Sequence, residues 1–275
     1  MRRCRPLLGT FVEINADDSS AIDLAFAAIE RVHTLMSAHE PDSELSRINR
    51  FAHVGPVPIS DWTGQVIGRA LYWSRTSAGR FDAVRAGRAA LDGGALPRHH
   101  DQPLPEACDW TSVKLSTDAV SLDQPACLDL GGIAKGFAVD RAVDALKAAG
   151  AAHGLVNAGG DVRGYGPDAW EVVVVDPASR RPLANVSLMN GAVATSAGRP
   201  AGSGMLAFDH LPGHDSRWSS VSVRAPLACD ADALTKIVWS GSAEVRKWLG
   251  TAGAEAFMIG ANGSVEAIAT QAYAA

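Results

Sequence analysis

Two Asn-Gly dipeptides constrain the fold of this chain more than any other feature of its sequence. Asn190-Gly191 and Asn262-Gly263 each separate two short apolar segments. Asn-Gly favours the tight turn with positive φ angles that joins neighbouring antiparallel strands. The dipeptides therefore predict two β-hairpins. Alternating apolar residues predict a third hairpin over 113–122 and a first strand over 7–16.

Helical spacing appears between these strands. Successive members of one series lie three or four residues apart and predict a helix after the capping candidates of 17–20: Ile22, Phe26, Ile29, His33 and Met36. Further helices are expected over 61–78, up to Gly150 and over 230–239, with a short one capped by Asp42 or Ser43. Hairpins outnumber βαβ units, which favours an α+β fold with largely antiparallel sheets and packed helices. No linker stands out, so we expect a single domain over 1–275.

Charge and composition exclude several classes of protein. The formal net charge is −5 and the sequence pI is near 5.9, which argues against a nucleic-acid partner. No apolar run is long enough for a membrane span, and the start of the chain lacks the apolar segment of a signal peptide. The four cysteines are scattered without zinc-like spacing. We expect a cytoplasmic protein with reduced thiols.

The segment from Asp129 to Asp140 carries the clearest chemical pattern. Two glycines, Gly131 and Gly132, precede a helix that has Lys135 in its first turn. The N-terminus of a helix presents unpaired N–H groups, and a lysine there adds a positive charge, a combination that suits phosphate. Neither the Walker loop nor the Rossmann fingerprint is present. From these residues alone, an anion site and an ordinary tight turn are equally good interpretations.

Two other segments are weaker on their own. NAGGD, at 157–161, is a second glycine-rich turn, for which an internal pair of Asp161 and Arg163 is the simplest interpretation. ATSAG, at 194–198, offers the hydroxyl groups of Thr195 and Ser196.

Taken together and in this order, the segments resemble the flavin transferases, also called the ApbE family. The resemblance covers most of the chain from about Leu7 to Trp239. DLGGIAKG followed by NAGGD at this spacing is its most specific part. The motifs that carry it are LLGT (7–10), PDSELSRIN (41–49), FDAVRAG (81–87), DLGGIAKGFAVDRAV (129–143), LVNAGGDVRGYG (155–166), VATSAG (193–198) and ADALT (231–235).

The resemblance implies an ApbE-like, T-fold-related architecture and an activity that moves FMN from FAD to a Thr or Ser hydroxyl of an acceptor protein. It also implies a magnesium ion, with the backbone carbonyl of Gly132 and the side chains of Asp232 and Thr235 as ligands; Asp232 is thereby also catalytic. The expected FAD contacts are Leu8 beside the flavin, His39 against the ring system where the family usually has an aromatic residue, Leu91, Asp92 and Gly93 along the nucleotide, and Asp129, Lys135 and Thr195.

Two segments depart from the family pattern. The family usually places Asp and Thr four residues apart in its metal helix, whereas here Thr235 is three after Asp232 and Lys236 is four after it. Lys236 is therefore expected to pair with Asp232 along the helix and to add a resident positive charge. The family's "HIIDPRTG" is replaced by AFDHLPGHDSRW, at 207–218. His210 is the natural counterpart of its histidine and the expected proton acceptor, with His214 or Asp215 next.

Three functions fit these motifs. The first is FMN transfer from FAD to a protein. The second is FAD binding without transfer, which the two departures from the family pattern favour. The third is hydrolysis of FAD to FMN and AMP, with water in place of the acceptor hydroxyl. The three functions give different products when the protein is incubated with FAD and magnesium. Only a hydrolase releases free FMN without an acceptor, and only a transferase makes a flavinylated acceptor.

Overall fold

The computed structural model describes residues 1–97, 104–175, 182–198, 217–260 and 262–269. Within them the chain forms an α+β fold with antiparallel sheets, as the sequence predicts. The strands are β1 (Arg2–Leu7), β2 (Thr10–Ala16), β3 (Val57–Pro58), β4 (Val113–Leu115), β5 (Ala119–Leu122), β6 (Gly154–Ala158), β7 (Asp161–Tyr165), β8 (Trp170–Val175), β9 (Pro182–Leu188), β10 (Gly191–Ala197), β11 (Trp218–Ala225), β12 (Glu255–Gly260) and β13 (Val265–Ile268). The helices are α1 (Ser19–Met36), α2 (Glu44–Phe51), α3 (Asp61–Thr76), α4 (Ala83–Asp92), α5 (Ala134–Ala148), α6 (Ala228–Trp239) and α7 (Val245–Thr251).

The main sheet has eight strands in the order β1-β2-β6-β7-β10-β11-β12-β13, and every pair of neighbours is antiparallel. Two smaller sheets, β3-β5-β4 and β8-β9, lie outside it. Strand β2 alternates as predicted, since Val12 and Ile14 are buried and Phe11 is exposed. Such alternation fixes which face of the strand packs on the helices.

Helix α5 is the centre of the molecule. It packs against α1, α6 and strands β6 and β7, and α6 in turn covers β10 and β11. All twelve residues of α6 are buried, including Asp232, Thr235 and Lys236. Burying a polar side chain costs free energy unless it forms hydrogen bonds or ion pairs. The contacts of the buried polar residues of α6 therefore indicate a candidate functional site.

Local signals explain where several elements begin. The side chain of Asp18 accepts hydrogen bonds from the backbone at the start of α1, and that of Ser43 does the same for α2, as predicted. Hairpin β12–β13 contains Asn262-Gly263, with Gly263 at a φ of +81°. Among the described residues, no helix is both long enough and apolar enough to cross a membrane.

Three structural expectations were wrong. Asn190-Gly191 does not close a hairpin, because β9 pairs with β8 whereas β10 pairs with β7 and β11. The predicted strand before Gly131 is an extended segment outside any sheet. The predicted first strand at 7–16 is interrupted at Leu8-Gly9, where two residues with positive φ form the turn between β1 and β2.

Candidate functional site

Three of the sequence motifs meet at the beginning of α5. The ammonium group of Lys135 lies 2.5 Å from Oδ2 of Asp161, at the start of β7, and 3.5 Å from Oδ2 of Asp232 on α6. The backbone N–H of Gly136 donates to the same Asp232 oxygen at 3.3 Å. Lys135 is partly exposed, whereas both carboxylates are buried. The chain thus places one solvent-reaching lysine over two buried carboxylates.

Lys236 completes this group of charges. Its ammonium donates to Oδ1 of Asp232 and, at 3.1 Å, to the backbone carbonyl of the same residue. This is the predicted pairing along the helix, and it is buried, with Lys236 only 7% exposed. Gly131 and Gly132, which precede α5, form what we call the glycine turn. The stem of Lys236 lies beside this turn, since a Cβ built on Gly132 would be 3.3 Å from the Lys236 Cε. We call Lys135, Asp161, Asp232 and Lys236 the charge cluster.

Hydroxyl groups lie where α6 packs against β10 and β11. Thr235 donates to the carbonyl of Asp232 at 2.7 Å and lies 2.7 Å from the hydroxyl of Ser196 on β10. Thr195 directly precedes Ser196 on β10, and its hydroxyl lies 2.9 Å from that of Ser222 on β11. Thr235 is fully buried, so its hydroxyl is committed to these two contacts.

The segment before the glycine turn, which contains Leu128 and Asp129, forms hydrogen bonds with α2 and with the start of α4. The amide of Asn49, which is buried in α2, donates to the carbonyl of Leu128 at 3.0 Å and accepts from its N–H at 2.8 Å. The N–H of Asp129 donates to the carbonyl of Ala83 at 2.9 Å. These bonds satisfy backbone groups as a neighbouring strand would. They explain why the segment is extended without belonging to a sheet.

Asp140 fixes α6 against α5. Its carboxylate accepts from the N–H groups of Ala228 and Cys229, both at 2.9 Å, and pairs with Arg163 of β7 at 2.9 Å. The expected internal pair of Asp161 and Arg163 is therefore wrong. Asp161 and Arg163 lie on the same face of β7, because residues two apart along a strand point to the same side. Each of them binds a different residue of α5.

The charges of the cluster shift one another's pKa values, each in a direction set by burial and by the neighbouring charges. Burial, and then the charge of Asp232, raise the pKa of Asp161 to about 6, although Lys135 opposes them. Burial would also raise the pKa of Asp232, but Lys135 and Lys236 outweigh it and hold that pKa below its ordinary value. Burial disfavours the charge of Lys135, but Asp161 and Asp232 raise its pKa above the ordinary value. With two ammonium groups and two carboxylates, the cluster carries no formal net charge.

This arrangement does not fit the predicted magnesium ion. Magnesium needs free oxygen ligands, but both oxygens of Asp232 already have nitrogen partners. Thr235 is likewise engaged. A divalent cation about 4 Å from the Lys236 ammonium would be repelled by about 8 kcal/mol at an effective dielectric of about 20. The described part of the chain also holds no group of three or more His, Cys, Asp or Glu side chains arranged for a metal.

The other predicted contacts lie around this centre or in the loops. Leu8 forms the turn between β1 and β2 with a φ of 55° and packs against the core. His39 is exposed in the turn between α1 and α2, where its N–H donates to Ser37. Asp129 accepts from the N–H of Gly131 at 2.7 Å, within the glycine turn.

Three predicted residues end α4. Leu91 is buried, Asp92 pairs with Arg88 of the same helix at 2.7 Å, and Gly93 follows the helix as its cap. Their contacts with a nucleotide stay predictions. His210, together with His214 and Asp215, lies outside the described residues.

Asp161 is the site residue that sequence reasoning did not select. It is 2% exposed and forms the shortest contact of Lys135. Its position directly after two glycines and a strand was the available signal. The pair spans 26 residues, so only the three-dimensional fold could reveal it.

Comparison with known proteins agrees with the predicted family. The model of the ApbE family matches residues 8–258. The FAD:protein FMN transferase of Treponema pallidum is 29% identical over 258 residues, covering 80% of this chain and 70% of that protein. The FAD:protein FMN transferase of Haemophilus influenzae is 29% identical over 191 residues, covering 62% of this chain and 55% of that protein.

Solved structures show the same fold. The flavin transferase ApbE from Vibrio cholerae superposes with a TM-score of 0.81 at 21% identity, covering 99% of this chain and 97% of that chain. The ApbE protein of Thermotoga maritima superposes with a TM-score of 0.82 at 24% identity, covering 97% and 96%. With a family match that includes the glycine turn, the NAGGD turn and α6, the chain belongs to the ApbE family.

Proposed function

We propose that residues 1–275 act as one domain that transfers FMN from FAD to a Thr or Ser hydroxyl of an acceptor protein, with release of AMP. The observation that carries the proposal is the family match over 8–258, which contains every residue of the charge cluster. The relatives that it resembles bear the name of this activity.

In this reaction the acceptor oxygen attacks the FMN phosphorus, and the bond from that phosphorus to the oxygen of AMP breaks. The hydroxyl proton goes to a base. The pyrophosphate resists attack until its negative charge is compensated. Lys135 suits this task, because its side chain is partly exposed while its ammonium is fixed by Asp161 and Asp232. A lysine held in this way loses little freedom when it binds an anion.

The remaining roles are part of the same proposal. Leu8, His39, residues 91–93, Asp129 and Thr195 contact FAD, and His210 accepts the proton of the attacking hydroxyl. Asp232 acts through the two lysines that it holds. No step passes through magnesium, because the donors around Asp232 do not fit that ion.

A single incubation tests the proposal against its two alternatives. The protein is mixed with FAD, with and without an acceptor protein that carries a flavinylation site. AMP and free FMN are measured by chromatography, and the acceptor is examined by mass spectrometry. We expect covalently bound FMN on the acceptor and an equal amount of AMP. The variant His210→Gln should lower the transfer rate by about a hundredfold or more if His210 is the base.

The other outcomes assign the other functions. Free FMN without an acceptor would mean that the protein hydrolyses FAD. Saturable quenching of FAD fluorescence with no product in either mixture would mean that it only binds FAD. The absence of both binding and products would overturn the proposal.

A further inference from the structure

The Asp232 carboxylate, to which the family resemblance assigns a metal ion, is bound here by a lysine of the same helix. Lys236 contacts the side chain and the backbone carbonyl of Asp232 at once. It is almost completely buried, so solvent screens its charge little. Its stem lies beside Gly132, the glycine whose carbonyl was predicted as a metal ligand, since a Cβ built there would be 3.3 Å from the Lys236 Cε. Lys236 therefore binds one predicted metal ligand, Asp232, and lies beside Gly132, which was to supply another.

The charges of the cluster balance without an ion. Two ammonium groups, on Lys135 and Lys236, face two carboxylates, on Asp161 and Asp232. Buried charges are stable only when they are paired. If a divalent cation entered, it would have to displace Lys236 from Asp232, and the displaced ammonium would remain buried beside it. A fixed lysine needs no such exchange.

We infer that Lys236 is a built-in cation that takes the place of the divalent metal, so that this protein binds FAD and transfers FMN without a metal ion at Asp232. Lys236 acts as a positioning residue. Its buried ammonium neutralises the charge of Asp232. The partly exposed Lys135 is then available to bind the pyrophosphate. The part of the inference that concerns transfer rests on the proposed function, whereas the part that concerns metal binding does not.

The unmodified protein gives the first test. Magnesium chloride is titrated into the protein by calorimetry, alone and with FAD present, and manganese binding is followed by electron paramagnetic resonance. We expect no saturable binding of either ion at Asp232 up to millimolar concentrations. FAD affinity and the rate of FMN transfer should be the same with magnesium and with EDTA.

Two variants test the role of Lys236 itself. Lys236→Thr removes the ammonium and supplies a hydroxyl, so Asp161 and Asp232 then share only Lys135. We expect this variant to gain a magnesium site, detected by calorimetry and by a rise in melting temperature. Lys236→Met removes the charge but keeps most of the stem, and should weaken FAD binding about tenfold or more. Lys247→Met, at an exposed lysine of α7, is the matched control and should change neither property.

The outcomes separate this inference from the proposed function. Magnesium binding by the unmodified protein that Asp232→Asn abolishes would overturn the inference, as would loss of transfer in EDTA that magnesium restores. A protein that binds no metal and transfers no FMN would overturn the proposed function alone. If Lys236→Thr does not fold, the measurements on the unmodified protein still decide.

Discussion

Lys135 is the one member of the charge cluster whose side chain is partly exposed to solvent; the other three side chains are buried. Its substitution by methionine removes one of the two ammonium groups and keeps an unbranched stem. Hydrogen bonds to charged groups contribute about 1.5–3 kcal/mol, so FAD should bind about tenfold to a hundredfold more weakly. Fluorescence quenching of FAD measures the affinity directly.

The matched control for this prediction is Lys147→Met. Lys147 belongs to the same helix but lies over the ring of Tyr165, 4.8 Å from its centre, and is exposed. Its loss should leave FAD affinity unchanged. Equal affinity in the Lys135→Met protein would show that the pyrophosphate lies elsewhere.

At the scale of single residues, the sequence predicted one ion pair whose members are close along the chain and missed the pairs whose members are far apart. Lys236 with Asp232 follows from their spacing on one helix. Lys135 with Asp161 and Arg163 with Asp140 join residues that are more than twenty positions apart. Nothing in a local pattern selects such partners, because they depend on how β7 is placed beside α5.

Among the elements, the crossing of α5 and α6 depends on one glycine. A Cβ built on Gly136 would lie 2.2 Å from the carbonyl oxygen of Ala228, and that atom belongs to backbone that cannot turn aside. Gly136→Ala should therefore separate the two helices. The cost should be about 3 kcal/mol of unfolding free energy, the upper part of the usual range for overpacking. Urea denaturation followed by circular dichroism measures it.

Gly250→Ala is the control for this substitution. Gly250 lies in α7, and a Cβ there would meet nothing within 4 Å. Alanine should leave the stability unchanged or raise it by about 0.5–1 kcal/mol, since glycine is the poorer helix former. If both variants had the same stability as the parent, the close crossing of α5 and α6 would be wrong.

The elements that sequence periodicity predicted are those whose own residues determine them. α1, α3, α5 and α6 carry apolar stripes, and the hairpin over 113–122 alternates. Helix α4 was missed because Gly87 interrupts its pattern. That glycine is needed for packing, as a Cβ there would be 2.1 Å from the carbonyl of Cys127. The chain bends at Asn190-Gly191, with Asn190 at a φ of 55°, but the predicted hairpin is wrong because β9 pairs with β8.

At the scale of the whole molecule, the order of the motifs predicted the family, whereas the order of the strands could not be predicted. Sheet order depends on which distant segments pair. β2 lies beside β6, although helices and other strands separate the two along the chain, and β7 lies beside β10, although β8 and β9 come between them. The motifs converge because of that order. The family resemblance implied that the motifs lie at one site. The order of the strands in the sheet is the physical reason that they do.

Asp140 holds these layers together, since one carboxylate joins α5, the start of α6 and strand β7. Replacing it with alanine leaves Arg163 without its closest partner and removes the acceptor from two N–H groups at the start of α6. Breaking a buried pair in this way costs about 3–5 kcal/mol. We expect Asp140→Ala to lower the unfolding free energy by that amount at neutral pH, as measured by urea denaturation.

Asp144→Ala is the comparison that isolates burial. Asp144 lies one turn further along α5 and pairs with Arg141 at 2.7 Å, but its side chain is 45% exposed. Exposed ion pairs contribute at most about 1 kcal/mol, so this variant should stay close to the parent protein. A similar loss in both variants would show that Asp140 is an ordinary surface charge. A large loss in Asp140→Ala alone, with α6 amides that exchange faster with deuterium, would show that this carboxylate anchors the helix that carries Asp232 and Lys236.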